Sequence, residues 1–361
     1  MSGGTGWLHE LSLGRWSVGA SFVAAVSLQN DCFALLRSYG WATVERPFSR
    51  KRRSVIRAGA ENGSEKPTVR RRVGLKPGLD WHKRNFLTEV LIPSLFTKRS
   101  GSRANPLFPK VKPGEICITW IGHASFLIQL SGMNVLIDPN WSMWLSVIKR
   151  LKRPGLHIDN LPSIDTVLVT HAHFDHLDRR TLRRVAADQP IVVPTGVGNL
   201  VHDLGFNIVH ELDEWQGVRL GPLKVSLTPC HHWGARMLHD QHRGFGGFVI
   251  EGNDRSIFHC GDSAYFQGFR EIGKRFPIEI ALLPIGAYDA PSKREVHMNP
   301  EEAVRAFLEL GGSMLVPMHY GTFRLGFEPL NEPPQRLLSS ARENGVEDKV
   351  LLMTEGRPVV L

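Results

Sequence analysis

The stretch Thr170-His171-Ala172-His173-Phe174-Asp175-His176-Leu177-Asp178 decides how this chain is read. Three imidazoles and a carboxylate fall between 171 and 176, directly after a run, Asp165 to Thr170, that has the composition of a buried strand. Imidazole nitrogen and carboxylate oxygen are the donors that Zn²⁺ prefers. His171 and His173 are two residues apart, so on extended backbone they point the same way. Asp175 and His176 come one turn later, a spacing that suits two metal ions side by side. Two divalent ions about 3.5–4 Å apart form a clamp for in-line displacement at phosphorus.

Four local donors do not complete two metal sites, so the remainder must come from elsewhere. Working outward, short β-like runs alternate with helical ones. Strands are predicted at Cys117 to Ile121, Ser125 to Leu130, Val135 to Asp138, Val225 to Thr228, Gly247 to Glu251, Ser256 to Cys260, Ile280 to Pro284 and Met314 to Pro317. Helices are predicted at Arg179 to Ala187, Gly196 to Asp203, Phe266 to Arg275, Pro300 to Leu310 and Pro334 to Glu343, with Asn299 as the N-cap of the fourth. Hairpins first and βα units later imply a mixed α/β domain with two sheets or one mixed sheet. His231 or His232, Asp262 and His319 each lie just past a predicted strand end, where α/β folds place their active sites.

Charge divides the chain. Residues 1–110 hold 19 Lys/Arg and 7 Asp/Glu, against 25 and 28 in 111–361, so the formal +9 belongs to a leader in front of a near-neutral domain. A nucleic-acid partner would want the excess on the domain itself, and none is expected. Residues 1–58 are poor in acids and rich in Ser. Late in them come Arg50, Lys51, Arg52, Arg53 and Arg57, and the run Val55-Ile56-Arg57-Ala58 resembles a plastid processing site. A chloroplast transit peptide is therefore expected over 1–58, a basic linker and extension over 59–112, and the catalytic domain over 113–361. Within the extension, Phe86 to Phe96 reads as a short amphipathic helix that packs on the domain or touches a membrane surface. Four scattered cysteines (32, 117, 230, 260) exclude a disulfide framework.

The H-x-H-x-D-H element resembles the hallmark of the metallo-β-lactamase superfamily. Further stretches are similar to its N-acylphosphatidylethanolamine-hydrolysing phospholipase D branch: Thr119 to Ala124, Leu136 to Pro139, His232-Trp233, Gly261-Asp262, Glu271 to Phe276, Pro284 to Tyr288, His297 to Val304 and His319 to Phe323. The resemblance implies a four-layer αβ/βα sandwich with a dinuclear metal site. It implies one Zn²⁺ on His171, His173 and His232, a second on Asp175, His176 and His319, and Asp262 bridging them. It favours His232 over His231, which residue chemistry alone does not separate. Iron or manganese would also suit these donors.

The activity implied is hydrolysis of N-acylphosphatidylethanolamine to an N-acylethanolamine and phosphatidate, by a metal-bridging hydroxide that Asp175 orients and with His297 facing the phosphate. The alternative is a hydrolase of the same fold acting on a small soluble phosphoester or lactone. Lys149, Arg150, Lys152 and Arg153 follow the apolar run Trp141 to Ile148, and are expected to form an interfacial patch for an anionic lipid. The polar segment Asp289 to Val296 departs from the aromatic-rich loop that the likeness would have there.

Overall fold

The computed structural model describes residues 84–237, 240–292 and 295–361; the expected transit peptide lies outside them. The first strands are β1 (Ile116–Gly122), β2 (Ser125–Leu130), β3 (Met133–Ile137), β4 (Trp144–Leu145), β5 (Ile148–Lys149), β6 (Thr166–Leu168), β7 (Ile191–Pro194) and β8 (Val209–Leu212). The rest are β9 (Gly217–Leu220), β10 (Leu223–Thr228), β11 (Gly247–Gly252), β12 (Arg255–His259), β13 (Ile280–Pro284), β14 (Met314–Met318) and β15 (Pro358–Val360). The α-helices are α1 (Ile92–Phe96), α2 (Arg179–Val185), α3 (Gly268–Arg275), α4 (Pro300–Leu310) and α5 (Glu332–Glu343).

Two large sheets result, in the orders β15-β1-β2-β3-β6-β7-β8 and β14-β13-β12-β11-β10-β9, and β4 and β5 pair as a separate hairpin. Each is half meander and half parallel. β1, β2 and β3 pair antiparallel, and β3, β6, β7 and β8 pair parallel. In the second sheet β9 to β12 are antiparallel and β12 to β14 parallel.

Alternation along the strands sets the layering. Ile116, Ile118 and Trp120 of β1 join Phe126 and Ile128 of β2 in one core with Val225, Leu227, Phe248 and Ile250 of the second sheet. Ile121, Leu127, Leu136 and Val167 point the other way, into a core closed by Leu182 and Val185 of α2. The second sheet is covered by α3, α4 and α5 through Phe269, Ile272, Phe307 and Leu337. The architecture is the expected αβ/βα four-layer sandwich. α4 starts as read, with a complete capping box: Asn299 accepts from the Glu302 amide (2.9 Å), and Glu302 accepts from the Asn299 amide (3.0 Å).

The helix expected at Gly196 to Asp203 is only a 3₁₀ turn, Gly198–Leu200. Glu211 of β8 takes the amides of Gly196 (2.9 Å) and Gly198 (2.7 Å), and Arg243 takes the Gly196 carbonyl and the Asn199 side chain. These tertiary partners hold the backbone in a shape that no α-helix matches. Residues 85–112 lie against the domain, with ladder bridges Ser100↔Lys152 and Ala104↔Leu156.

The expected basic patch does not form as such. Arg150 is fully buried, donating to the carbonyls of Lys152 (2.8 Å), Asn140 (3.0 Å) and Ser142 (3.4 Å) with its guanidinium over Phe323. Lys152 pairs with the buried Glu355 at 2.6 Å. Lys149 donates to the carbonyls of Leu95 and Thr97 at the end of α1. Only Arg153 is exposed. Spacing of cations along a chain carries no information about which carbonyls the fold will leave without donors.

Candidate metal centre

The H-x-H-x-D-H loop joins β6 to α2. Asp178 caps α2 by accepting from the amides of Arg180 and Thr181. Two side chains pin the loop from outside. Asn140 donates to the Asp175 (2.8 Å) and Phe174 (3.2 Å) carbonyls, and Arg236 donates to those of Ala172 (2.7 Å) and Leu177 (2.8 Å). At Gly261, φ is +64°, and a Cβ would meet the Thr170 side chain and the Gly246 carbonyl at 3.0 Å. Only glycine lets the β12 end come this close to the β6 end and deliver Asp262 beside the histidines.

Two clusters of four donors meet here: His171, His173, His232 and Asp262 in one, and His123, Asp175, His176 and His319 in the other; a third group, Asp262, His297 and His319, overlaps both. In the first, His171 Nε2 and His232 Nε2 lie 3.0 and 3.2 Å from His173 Nδ1. Nitrogens bound tetrahedrally to one zinc at its usual bond length sit about 3.3 Å apart, so this is the edge length of a coordination shell. In the second, His176 Nε2 and His319 Nε2 lie 3.1 and 3.2 Å from Asp262 Oδ2, and 3.7 and 3.4 Å from Asp175 Oδ2. Asp262 Oδ2 is also 3.8 and 3.9 Å from His171 and His232, which puts its carboxylate between the two clusters.

The outer partners set the tautomers. His171 Nδ1 meets Thr170 Oγ1 (3.0 Å), whose hydroxyl meets Asp138 Oδ2 (2.6 Å). His176 Nδ1 meets Asp138 Oδ2 at 2.7 Å, and His232 Nδ1 meets the Val296 carbonyl at 3.0 Å. With Nδ1 donating in all three, each turns an Nε2 lone pair inward. Such carboxylate and carbonyl supports orient metal-ligating imidazoles.

The donor set fits divalent metal on its own evidence. His176 Nε2, His319 Nε2 and Asp262 Oδ1 are buried without a hydrogen-bond partner, a cost of about 1–3 kcal/mol each in a site that stays empty. The electrostatics agree. Burial works against it, yet Asp262, Asp138 and Asp175 drive His176 well above its ordinary pKa, and Asp262 with Asp175 drives His319 up to about 9. Burial opposes the charge on both Asp175 and Asp262 too, but the neighbouring histidines hold them well below the carboxylate range. The carboxylates want positive charge between them, and in its absence recruit protons.

All seven residues expected as ligands are brought together, and His232 is the one of its pair that points in; His231 is exposed and makes a backbone bridge to Ala264. His297 arrives from the loop before α4. Its ring is nearly parallel to that of His319 at 5.2 Å, with Nδ1 3.9 Å from Asp262 Oδ2 and no hydrogen-bond partner. Burial lowers it to about 4.

His123 was missed. It is buried at φ +57°, with Nε2 3.0 Å from Asp175 Oδ2. Its carbonyl accepts from the Trp120 indole (2.9 Å) and from the His319 amide (3.1 Å), and its amide donates to Thr322 Oγ1 (2.9 Å). Asp138 was also missed as a support. The signal available for both was their position in the turns that end β1 and β3.

The clusters floor a cleft walled by Phe174, Trp233, Ala287, Ala290, Val296 and Leu325, with Arg236 at its side. Residues 133–320 match the β-lactamase superfamily domain. The chain belongs to the β-lactamase superfamily. Its relatives there include a metal-dependent hydrolase of Rubrobacter xylanophilus, 33% identical over 67% of this chain and 96% of that one. N-acyl-phosphatidylethanolamine-hydrolyzing phospholipase D 1 of Caenorhabditis elegans is 31% identical over 63% of this chain and 70% of that protein. The fold is similar to that of Igni18, a metallo hydrolase of Ignicoccus hospitalis, at TM-score 0.54 and 23% identity over 68% of this chain and 98% of that one. As a superfamily member with this donor set, the chain is a metal-dependent hydrolase.

Proposed function

We propose that this hydrolase is a phosphodiesterase of phospholipase D type, cleaving N-acylphosphatidylethanolamine to an N-acylethanolamine and phosphatidate with two Zn²⁺. The observation that carries the reading is the pair of donor clusters sharing Asp262 at the foot of a cleft with apolar walls. Paired charges suit a phosphodiester, and apolar walls suit what is attached to it. The nematode phospholipase among the relatives supports the substrate class.

His171, His173 and His232 would hold one ion, Asp175, His176 and His319 the other, and Asp262 both. Bound there, the ions supply hydroxide at neutral pH and charge for the phosphoryl oxygens. His297, kept neutral by burial, faces that position as a hydrogen-bond donor to a phosphoryl or leaving oxygen. Asp175, anchored by His123, orients the attacking group. Phe174, Trp233 and Leu325 give the cleft around it an apolar wall. The chloroplast address is proposed from the composition of residues 1–58 alone.

The deciding experiment offers the purified protein N-acylphosphatidylethanolamine in mixed micelles and, separately, a soluble diester and a lactone. Metal-dependent phosphatidate release is expected. Lactone opening without phosphatidate release would establish the alternative activity instead.

A further inference from the structure

The chain from Leu87 to Phe96 forms a π-helical turn, Leu87–Leu91, running into α1. It is apolar on two sides. Val90, Leu91 and Ser94 face inward, and Leu91 packs with Leu145, Ile148 and Phe323. Ile92, Leu95 and Phe96, at positions i, i+3 and i+4, share the outward side, and Phe96 is 83% exposed. A short helix that needs only one apolar face to dock has a second one facing out.

That outer face continues onto the β4–β5 hairpin. Trp144, 46% exposed, is opposite Lys149 in the hairpin register, and Lys149 reaches the carbonyls of Leu95 and Thr97. Arg99 lies over the Trp144 ring at 5.4 Å. Cations rim the surface: Lys98 and Arg103 are exposed, and Arg153 reaches the carbonyls of Arg99 and Gly101. Glu89 is the acid on the helical segment, and its carboxylate is turned back onto the Asn85 amide. The inward cluster beneath the helix also takes in Phe174 and Leu325, two walls of the metal cleft. The apolar face and the cleft therefore share a foundation.

From this juxtaposition we propose that Ile92, Leu95, Phe96 and Trp144, rimmed by Lys98, Arg99, Arg103 and Arg153, dock the protein on an anionic lipid bilayer beside the mouth of the metal cleft. Of the patch expected from residues 149–153, only Arg153 stays in this surface. Charge selects the occupant. A second copy would set the same cationic rim against itself, and the leader over 1–58, with eight basic and three acidic residues, is of the same sign. A bilayer with anionic headgroups offers an apolar layer beneath a negative one, which matches an apolar centre inside a basic rim. The functional meaning, an enzyme that draws its substrate from the membrane it sits on, rests on the phospholipase reading above.

The test is flotation of the full chain with vesicles of phosphatidylcholine, with and without phosphatidylglycerol. The Ile92→Ser/Leu95→Ser/Phe96→Ser variant is expected to lose about tenfold or more in vesicle partitioning, with its melting temperature and its hydrolysis of a soluble diester unchanged. Lys98→Glu/Arg103→Glu is expected to weaken binding to the anionic vesicles only, with the difference vanishing in high salt. Unchanged flotation of both variants overturns the proposal. So does a triple variant that loses self-association in sedimentation without lipid, which would make the face a contact between copies. Flotation needs no turnover, so a protein that floats but releases no phosphatidate refutes the substrate reading and keeps the docking face. Turnover in detergent without flotation does the reverse.

Discussion

His123 offers the sharpest test of how the second donor cluster is built. Its Nε2 lies 3.0 Å from the Asp175 oxygen that faces His176 and His319, and a nitrogen donating a proton to a carboxylate cannot also bind a metal. Its role is therefore to position Asp175, and also His319, whose amide it accepts. His123→Ala removes a buried hydrogen bond to a charged group, a loss of about 1.5–3 kcal/mol. Supports of this kind typically cost about 10–100-fold in metal affinity when removed. The loss should fall on the ion held by Asp175, His176 and His319, while the one held by His171, His173 and His232 keeps its affinity. His123→Gln places an amide N–H close to where Nε2 stood, and should recover most of the loss. Competition with a chromophoric chelator, with metal counted per chain, separates the two equivalents without an activity assay. Two equivalents at wild-type affinity in His123→Ala would refute the reasoning, as would a Gln variant no better than Ala.

Asp262→Asn should strip bound metal and abolish hydrolysis, measured by elemental analysis beside turnover, because its carboxylate oxygen lies between the two clusters. His297→Ala should lower kcat with metal content intact; loss of metal would contradict its assignment to the substrate side. Arg150→Met should cost about 2–5 kcal/mol in denaturant melts, because three carbonyls lose their donor, while vesicle binding stays as it was. The proton held by His319 stabilises the metal-free protein fully below the ordinary histidine pKa of about 6.5, and that contribution is lost as pH rises through about 9. The metal-free melting temperature should therefore fall across this window. Added Zn²⁺ replaces the proton, so its stabilising effect should grow over the same window; a metal-induced shift that stays flat or shrinks would argue against it.

The metal centre was largely legible because its chemistry is local. Four donors lie within one loop, and the other three each follow a strand that alternation makes visible. Nine strands follow from pattern, but β4, β5, β7, β8, β9 and β15 do not. They are two to four residues long, and pairing with neighbours, not their own composition, makes them strands. The lost helix at 196–203 has the same cause: Glu211 and Arg243 came from outside the window.

Residue type and spacing by themselves pointed to a metal-binding site in an α/β frame, since three imidazoles and a carboxylate packed within six residues after a strand make a ready donor set. Residue chemistry did not separate His231 from His232; the tertiary structure turns His232 inward, as the resemblance implied, and leaves His231 on the surface with a backbone bridge to Ala264. It made His123 and Asp138 supports, since their partners are 52 and 38 residues away. It also turned Arg150 into an internal brace and put the apolar surface on α1, because the identity of a cation says what it can bind, while only the fold says which oxygens are within its reach.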